Sequence, residues 1–320
     1  MESKLQRKEG DAMQFGGKVN IFSLDAFSLR FKFLNRYKLP NYYLDGMVMY
    51  GSWSAGGNLA TARDSLAGCG TQTAGLSFGG NYPAVICDNT EEYDGIAWSA
   101  GGNLITAKND LAGCGTQTAG LSFGGSVASY PTAITEEYDG TAWSAGGNLA
   151  TARRYLAGCG TQIAGLSFGG SYGDPSAITE EYDGTAWSAG GNLATAKDGL
   201  AGCGTQMAGL SFGGYASSLS NVTEEYDGTV WSGSGNLLTA RNYLSGCGTQ
   251  TAGLSFGGSD ISSYSATTEE YDGAIWNTGG NLLTARNYLS GCGTQTAGLS
   301  FGGFANPQYF NITEEYNKAA

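Results

Sequence analysis

The sequence predicts an all-β fold, a six-bladed β-propeller of four-stranded blades with an N-terminal extension. Three observations carry this reading. Six tryptophans (Trp53, Trp98, Trp143, Trp187, Trp231 and Trp276) recur every 44 or 45 residues, the period of a propeller blade. Each is followed by the same order of segments: Gly-Asn-Leu, a basic residue, Gly-Cys-Gly-Thr-Gln, Leu-Ser-Phe-Gly-Gly, a variable stretch and Glu-Glu-Tyr. Glycine supplies 54 of 320 residues against 5 prolines, without a collagen period, as tightly turned β-structure requires.

Within the first copy the pattern predicts four short strands, Leu66–Gly70, Ala74–Phe78, Thr90–Asp94 and Ala97–Ala100. Gly-Thr-Gln, Gly-Gly and Asp-Gly punctuate them as turns. Blades diverge with distance from the axis. The small Leu-Ala-Gly-Cys-Gly strand therefore belongs at the centre, and the bulk of Tyr93 and Trp98 outside, where neighbouring sheets separate. The chain enters the repeats at a fourth strand (Trp53) and leaves them at a third (Tyr316). Pairing those two strands completes the sixth blade and removes its open edge.

The division expected is a docking or anchor segment at 1–49 and a propeller at 50–320. Residues 1–50 carry 8 Lys/Arg and 5 Asp/Glu, and the rest carry 8 and 23, so a +3 segment precedes a −15 body. In the leading segment Phe27, Leu29, Phe31 and Phe33 alternate with Ser28, Arg30 and Lys32, which reads as a half-buried strand. The segment is either a solvated tail or an arm that docks on an acidic partner. A rival reading makes it a degenerate seventh blade, from Phe15-Gly16-Gly17 and Tyr43-Leu44-Asp45-Gly46. The acidic body repels phosphate backbones, so no nucleic-acid partner is expected. No apolar run is long enough for a membrane span. The polar start is not a secretory signal, and free thiols suit synthesis in a reducing cytoplasm.

Most candidate chemistry falls away. Histidine is absent, which removes histidine-based nucleophilic triads and zinc sites. The paired glutamates beginning at Glu91, Glu136, Glu180, Glu224, Glu269 and Glu314 recur six times, whereas glycoside hydrolysis needs two carboxylates facing one bond. Neighbours on a strand point to opposite faces. The reading preferred is a repeated structural ion pair with Arg63, Lys108, Arg153, Lys197, Arg241 and Arg286, ahead of repeated metal binding or catalysis. Cys69, Cys114, Cys159, Cys203, Cys247 and Cys292 form a ring on the inner strands, either as small buried hydrophobes or as a soft-metal site. Cys87, in a variable loop, reads as a lone exposed thiol. The glycine-rich runs lack the spacing of phosphate loops. No catalytic residue, metal or cofactor is expected, and the protein reads as a non-enzyme.

The order Arg63, an apolar strand, Phe78-Gly79-Gly80, Tyr93-Asp94, Trp98 and Lys108 resembles the kelch repeat, over residues 51–316. Kelch-type propellers include galactose oxidase and many protein-binding modules. The copper site of that oxidase depends on histidine, so its activity does not carry over. The Gly-Thr-Gln-Thr-Ala-Gly-Leu tandem copies are also similar to repeat proteins of marine bacteriophages, cyanophages in particular. That similarity implies a virion-associated protein.

The copies differ chiefly in two places: between the second and third strands, and in the pair after the basic residue (Asp64-Ser65, Asn109-Asp110, Arg154-Tyr155, Asp198-Gly199). Both emerge at the same end of an up-and-down blade. That end carries Tyr82, Tyr130, Tyr172, Tyr215, Tyr264 and Tyr309 from the loops, with Tyr155, Tyr243 and Tyr288 from the connections. Tyrosine among Ser, Asn and Gly suits adaptable recognition, although loops also drift where little constrains them. Two functions follow. One is a virion propeller contacting a host surface or other virion proteins, joined to its assembly through residues 1–49. The alternative is a multivalent lectin-like module for cell-surface glycans.

Overall fold

The computed structural model describes residues 50–83 and 85–318. The docking segment 1–49, its Phe27–Phe33 alternation and the seventh-blade motifs lie outside the described residues. Six antiparallel four-stranded sheets succeed one another along the chain. Their inner strands touch in sequence, and the sixth touches the first. The result is a closed six-bladed propeller. Blade one comprises Ala67–Thr71, Ala74–Phe78, Thr90–Tyr93 and Trp98–Ala100. Blade six comprises Ser290–Gly293, Ala297–Phe301 and Thr313–Asn317, completed by Ser52–Ala55 from the other end of the repeats. There Trp53 pairs with Tyr316 and Ser54 with Glu315.

Strand ends shift by a residue from those expected, for local reasons. Asp94 Oδ1 accepts hydrogen bonds from the Ile96 and Ala97 amides, both at 2.8 Å. That Asx turn takes Asp94 and Ala97 out of the ladder. Ser65 adopts a left-handed φ of 53°, which delays the inner strand. The variable stretches are more ordered than a loop reading implies. Those of blades one, two, three and six contain two-stranded hairpins, such as Ser126–Val127 with Tyr130–Pro131. No helix among the described residues is long and apolar enough to cross a membrane.

Each blade grips the one before it with the same side chains. Tyr138 donates to Glu92 Oε1 at 2.6 Å, and Trp143 Nε1 donates to Thr90 Oγ1 at 2.9 Å. Gln117 Nε2 donates to the Gly75 and Tyr93 carbonyls, at 3.1 and 2.7 Å. The second glutamate of each pair is thus an acceptor between blades, and the Gln of the Gly-Thr-Gln turn is a clamp. Across the seam the set recurs: Tyr93 donates to Glu315, Trp98 to Thr313 and Gln72 to the Tyr316 carbonyl. Phe78 lies on the inner strand of the next blade, with its ring edge-on to Trp143 at 4.9 Å. A Cβ on Gly113 would stand 2.3 Å from Phe78 Cζ, so only glycine fits beneath that ring.

Inside each blade, a buried cation ties the second and third strands. Arg63 Nη2 lies 2.9 Å from Glu91 Oε1, Arg153 2.9 Å from Glu180 and Arg241 3.0 Å from Glu269. Arg286 bonds Glu314, while Lys108 and Lys197 stand 3.5 Å from Glu136 and Glu224. All six cationic side chains are fully buried. Burial lowers the pKa of each, bringing both lysines to about 8, against the opposing pull of the glutamate. The arginine fork also reaches a serine hydroxyl on the second strand, Ser167 Oγ at 3.0 Å from Arg153. Lysine has no such fork, and in its two blades Ser122 Oγ and Ser211 Oγ are left without a partner. Lys108→Arg should therefore raise stability by about 1 kcal/mol by satisfying Ser122. Arg153→Met, which strands a buried carboxylate, should cost on the order of 3 kcal/mol. Reversible denaturant titration of both variants measures the two signs together.

Candidate functional site

The two variable regions meet at one end of the ring. Asp64 bridges Asn81, Asn109 bridges Ser126, and each later connection bridges its own loop in the same way. At the axis, the second residue of each variable pair forms a collar. The Ser65 amide donates to the Tyr288 carbonyl at 2.9 Å, Tyr288 to Tyr243, Tyr243 to Gly199, Gly199 to Tyr155, Tyr155 to Asp110 and Asp110 back to Ser65. Six backbone hydrogen bonds thus run head to tail around the axis. Every collar residue has a φ between 51 and 56°. A left-handed conformation is uncommon for a bulky residue and costs about 1–2 kcal/mol at each non-glycine position. The closed hydrogen-bond circuit holds it in place. Strain of this kind collects at functional sites.

The collar backbone is sixfold, but its chemistry is not. Tyr243 stacks on Tyr288 at 4.1 Å, and Tyr155 meets Tyr243 at 5.5 Å across Gly199. A Cβ at position 199 would come within 2.9 Å of the Tyr243 ring, so the missing side chain lets those rings meet. The remaining arc carries the short side chains of Ser65 and Asp110. Together the six residues and the leucines that follow them line an open cavity of about 80 Å³.

An outer circle of first-position residues surrounds the collar: Asp64, Asn109, Arg154, Asp198, Asn242 and Asn287. The Arg154 guanidinium lies 5.0 Å over the Tyr155 ring. Asp64 is only 8% exposed, and its Oδ1 has no hydrogen-bond partner within the protein. Burial, reinforced by the charge of Asp110, raises its pKa to about 7 against the pull of the Ser65 hydroxyl. Burial likewise raises Asp110 to about 6, offset by Ser65, Arg154 and Tyr155. Asp198 is raised by burial too.

The nine tyrosines expected on this face do not form one surface. Tyr155, Tyr243 and Tyr288 are half-buried at the collar. Tyr130 and Tyr172 project from hairpins at 77 and 70% exposure, with Tyr82 and Tyr215 less exposed. Tyr82, Tyr309, Phe304 and Tyr264 make an aromatic arc over blades one, six and five, with successive centroids 5.0–6.3 Å apart. The six cation–glutamate pairs lie buried inside the blades beneath this face, where Arg63 also donates to the Gly79 and Asn89 carbonyls that flank the variable stretch.

The ring thiols point between blades. Cys69 Sγ lies 3.5 Å from the Thr116 carbonyl of the next blade, and its pKa is raised by burial. Among the described residues, no group of three or more His, Cys, Asp or Glu could hold a metal ion. Cys87 corrects the expectation of an exposed thiol, since it is 7% exposed. Its amide donates to the Gly80 carbonyl at 2.8 Å, closing the Asn81–Ile86 hairpin and drawing Cys87 under it. Every variable stretch is closed at the equivalent position, for example Thr132 to Gly125.

The site therefore offers a rigid collar, a small cavity and buried carboxylates, surrounded by projecting aromatic rings. The raised carboxylates give a pH signature. Folded-state pKa values above the unfolded value mean that the folded chain holds more protons between about pH 4 and 7. Their contribution thus favours folding at low pH and is lost as pH rises through the folded pKa. Asp64→Asn should melt higher than the parent at pH 8 and match it near pH 4, as scanning calorimetry of the pair would measure. No protein-family model matches the chain, and no curated protein is significantly similar to it.

Proposed function

We propose that this protein is a non-enzymatic recognition and structural module that uses its variable face to hold a host surface or another protein of a virus particle. One observation carries the reading. The six copies keep their contacts between blades and differ where side chains project at one end of the ring. Binding to an extended surface uses such a face, with rigid aromatic anchors among adaptable Ser, Asn and Gly. The virion assignment rests on the similarity of the tandem copies to marine bacteriophage repeat proteins, and the protein-binding reading on the kelch-like order of the repeat. The +3 segment at 1–49 serves as the arm that joins the propeller to its assembly.

A lectin-like reading has a specific point in its favour. Tyr82, Tyr130 and Tyr172 expose their rings on three successive blades, a repeated arrangement that suits weak, multivalent stacking on sugars. A photoreactive phenylalanine at Tyr130 or Tyr172, compared with one at Thr118 or Thr141 on the opposite end, tests the face directly. Cross-links in the native assembly or on host cells should come from the first two sites. Cross-links confined to Thr118 and Thr141, or none from any site, would count against the proposal. A glycan array with several weak equivalent sites would favour the lectin.

A further inference from the structure

Six equivalent notches lie at the outer part of the ring, one at each interface between blades. In each, the second glutamate of one blade accepts a hydrogen bond at Oε1 from the tyrosine hydroxyl of the next. Glu92 takes it from Tyr138 at 2.6 Å, and Glu137 from Tyr182 at 2.5 Å. The same hydroxyl accepts from the amide of a glycine beyond the fourth strand, Gly102 to Tyr138 at 3.3 Å. One notch, between blades five and six, holds a cation. There Glu270 Oε1 accepts from the Tyr316 hydroxyl and Oε2 from the Lys318 ammonium, both at 2.5 Å. The Lys318 amide donates to the Thr296 carbonyl at 3.1 Å, which fixes the backbone from which the side chain reaches. The matching residue in the other five blades is Gly95, Gly140, Gly184, Gly228 or Gly273. None of those can supply a cation.

The five remaining notches keep the acceptor and lack the donor. Oε2 of Glu92, Glu137, Glu181, Glu225 and Glu315 has no hydrogen-bond or ion-pair partner among the described residues. None of these oxygens is sealed in the core, and the five glutamates are half-buried. Where Lys318 fills the notch, the Glu270 side chain is only 9% exposed. The tyrosine bond presets each carboxylate, which lowers the ordering cost of a contact. Outside the six buried pairs, residues 51–320 hold only two basic side chains, Arg154 and Lys318, and Arg154 lies over Tyr155. An acidic body of this kind steers basic partners towards itself. A hard metal ion wants six or more oxygen ligands, whereas an ammonium with three N–H donors is the group that one notch already holds.

We propose that the notches at Glu92, Glu137, Glu181, Glu225 and Glu315 bind lysine side chains of a basic protein segment lying along the rim of the ring. Each ammonium meets its glutamate as Lys318 meets Glu270. A single partly exposed ion pair contributes little, so one lysine binds weakly. A segment with several lysines gains from effective concentration as it engages successive notches. This surface is separate from the variable face and does not rest on the function proposed for it.

The test adds acetyl-pentalysine-amide to the full chain at low salt. Carbodiimide coupling, which joins an amine only to a carboxylate it touches, reports the sites, and calorimetric titration reports affinity. Cross-links to the peptide, mapped by mass spectrometry, should fall on the five notch glutamates. Glu270 should stay unlinked to the peptide in the parent and join them in Lys318→Met. Glu92→Gln with Glu137→Gln and Glu181→Gln should weaken binding about tenfold. Its melting temperature should hold, because glutamine Oε1 still accepts the tyrosine hydroxyl. Asp88→Asn with Asp174→Asn and Asp260→Asn removes the same charge from the variable loops and should weaken binding by no more than about twofold. Equal weakening by the two triple variants, or cross-links shared evenly with Asp88, Asp174 and Asp260, would overturn the notches in favour of a general acidic field. A Glu270 that couples to the peptide as readily in the parent as in Lys318→Met would also overturn them, as would no peptide binding at all. The Lys318→Met comparison decides alone if the glutamine variant melts early.

Discussion

A ring of six wedges closes only if the turns at its six interfaces add up to one full circle, and here the same close contact recurs at every interface. The tip of a phenylalanine ring from one blade abuts a glycine in the inner strand of the next, Phe78 on Gly113 and Phe301 on Gly68, with no space for even a methyl group between them. Around this contact the tryptophan, tyrosine and glutamine bonds fix the outer and lower parts of the interface. The near-identity of the copies follows from that demand. Any change of width at one interface would have to be absorbed by the other five.

Once the interfaces carry the architecture, the far end of each blade is released from it. The connection between blades must cross near the axis, and it does so through a left-handed residue whose amide and carbonyl join the collar. The backbone circuit is indifferent to the side chain at that point. Serine, aspartate, glycine and three tyrosines therefore occupy six equivalent places. A sixfold scaffold thus presents a site with no symmetry of its own, acidic and open on one side and aromatic on the other.

The sequence disclosed the fold through period and residue size. The Trp53 and Tyr316 ends announced their pairing because a closed ring cannot leave one blade a strand short. Local detail was hidden where a side chain acts across blades. Gln117 looked like a turn residue because its partners, the Gly75 and Tyr93 carbonyls, belong to another repeat. Glu92 looked like half of a local pair for the same reason. Cys87 reads as exposed from the sequence alone because its burial depends on a two-stranded hairpin that the variable stretch does not advertise. The dipeptides after each basic residue stood out as variable, but nothing in their spacing revealed that their second members meet at the axis. Radial position is a tertiary property, and only the ring supplies it.

The central claim is that the Ser52–Ala55 strand closes a single cooperative ring. Native-state hydrogen exchange of that strand, followed against denaturant, tests it most directly. Its ladder amides should exchange with the same opening free energy as those of the equivalent Trp98–Ala100 and Trp143–Ala145 strands, and all should converge on global unfolding. Early exchange of Ser52–Ala55, with blade six opening while blades one to five stay protected, would contradict it.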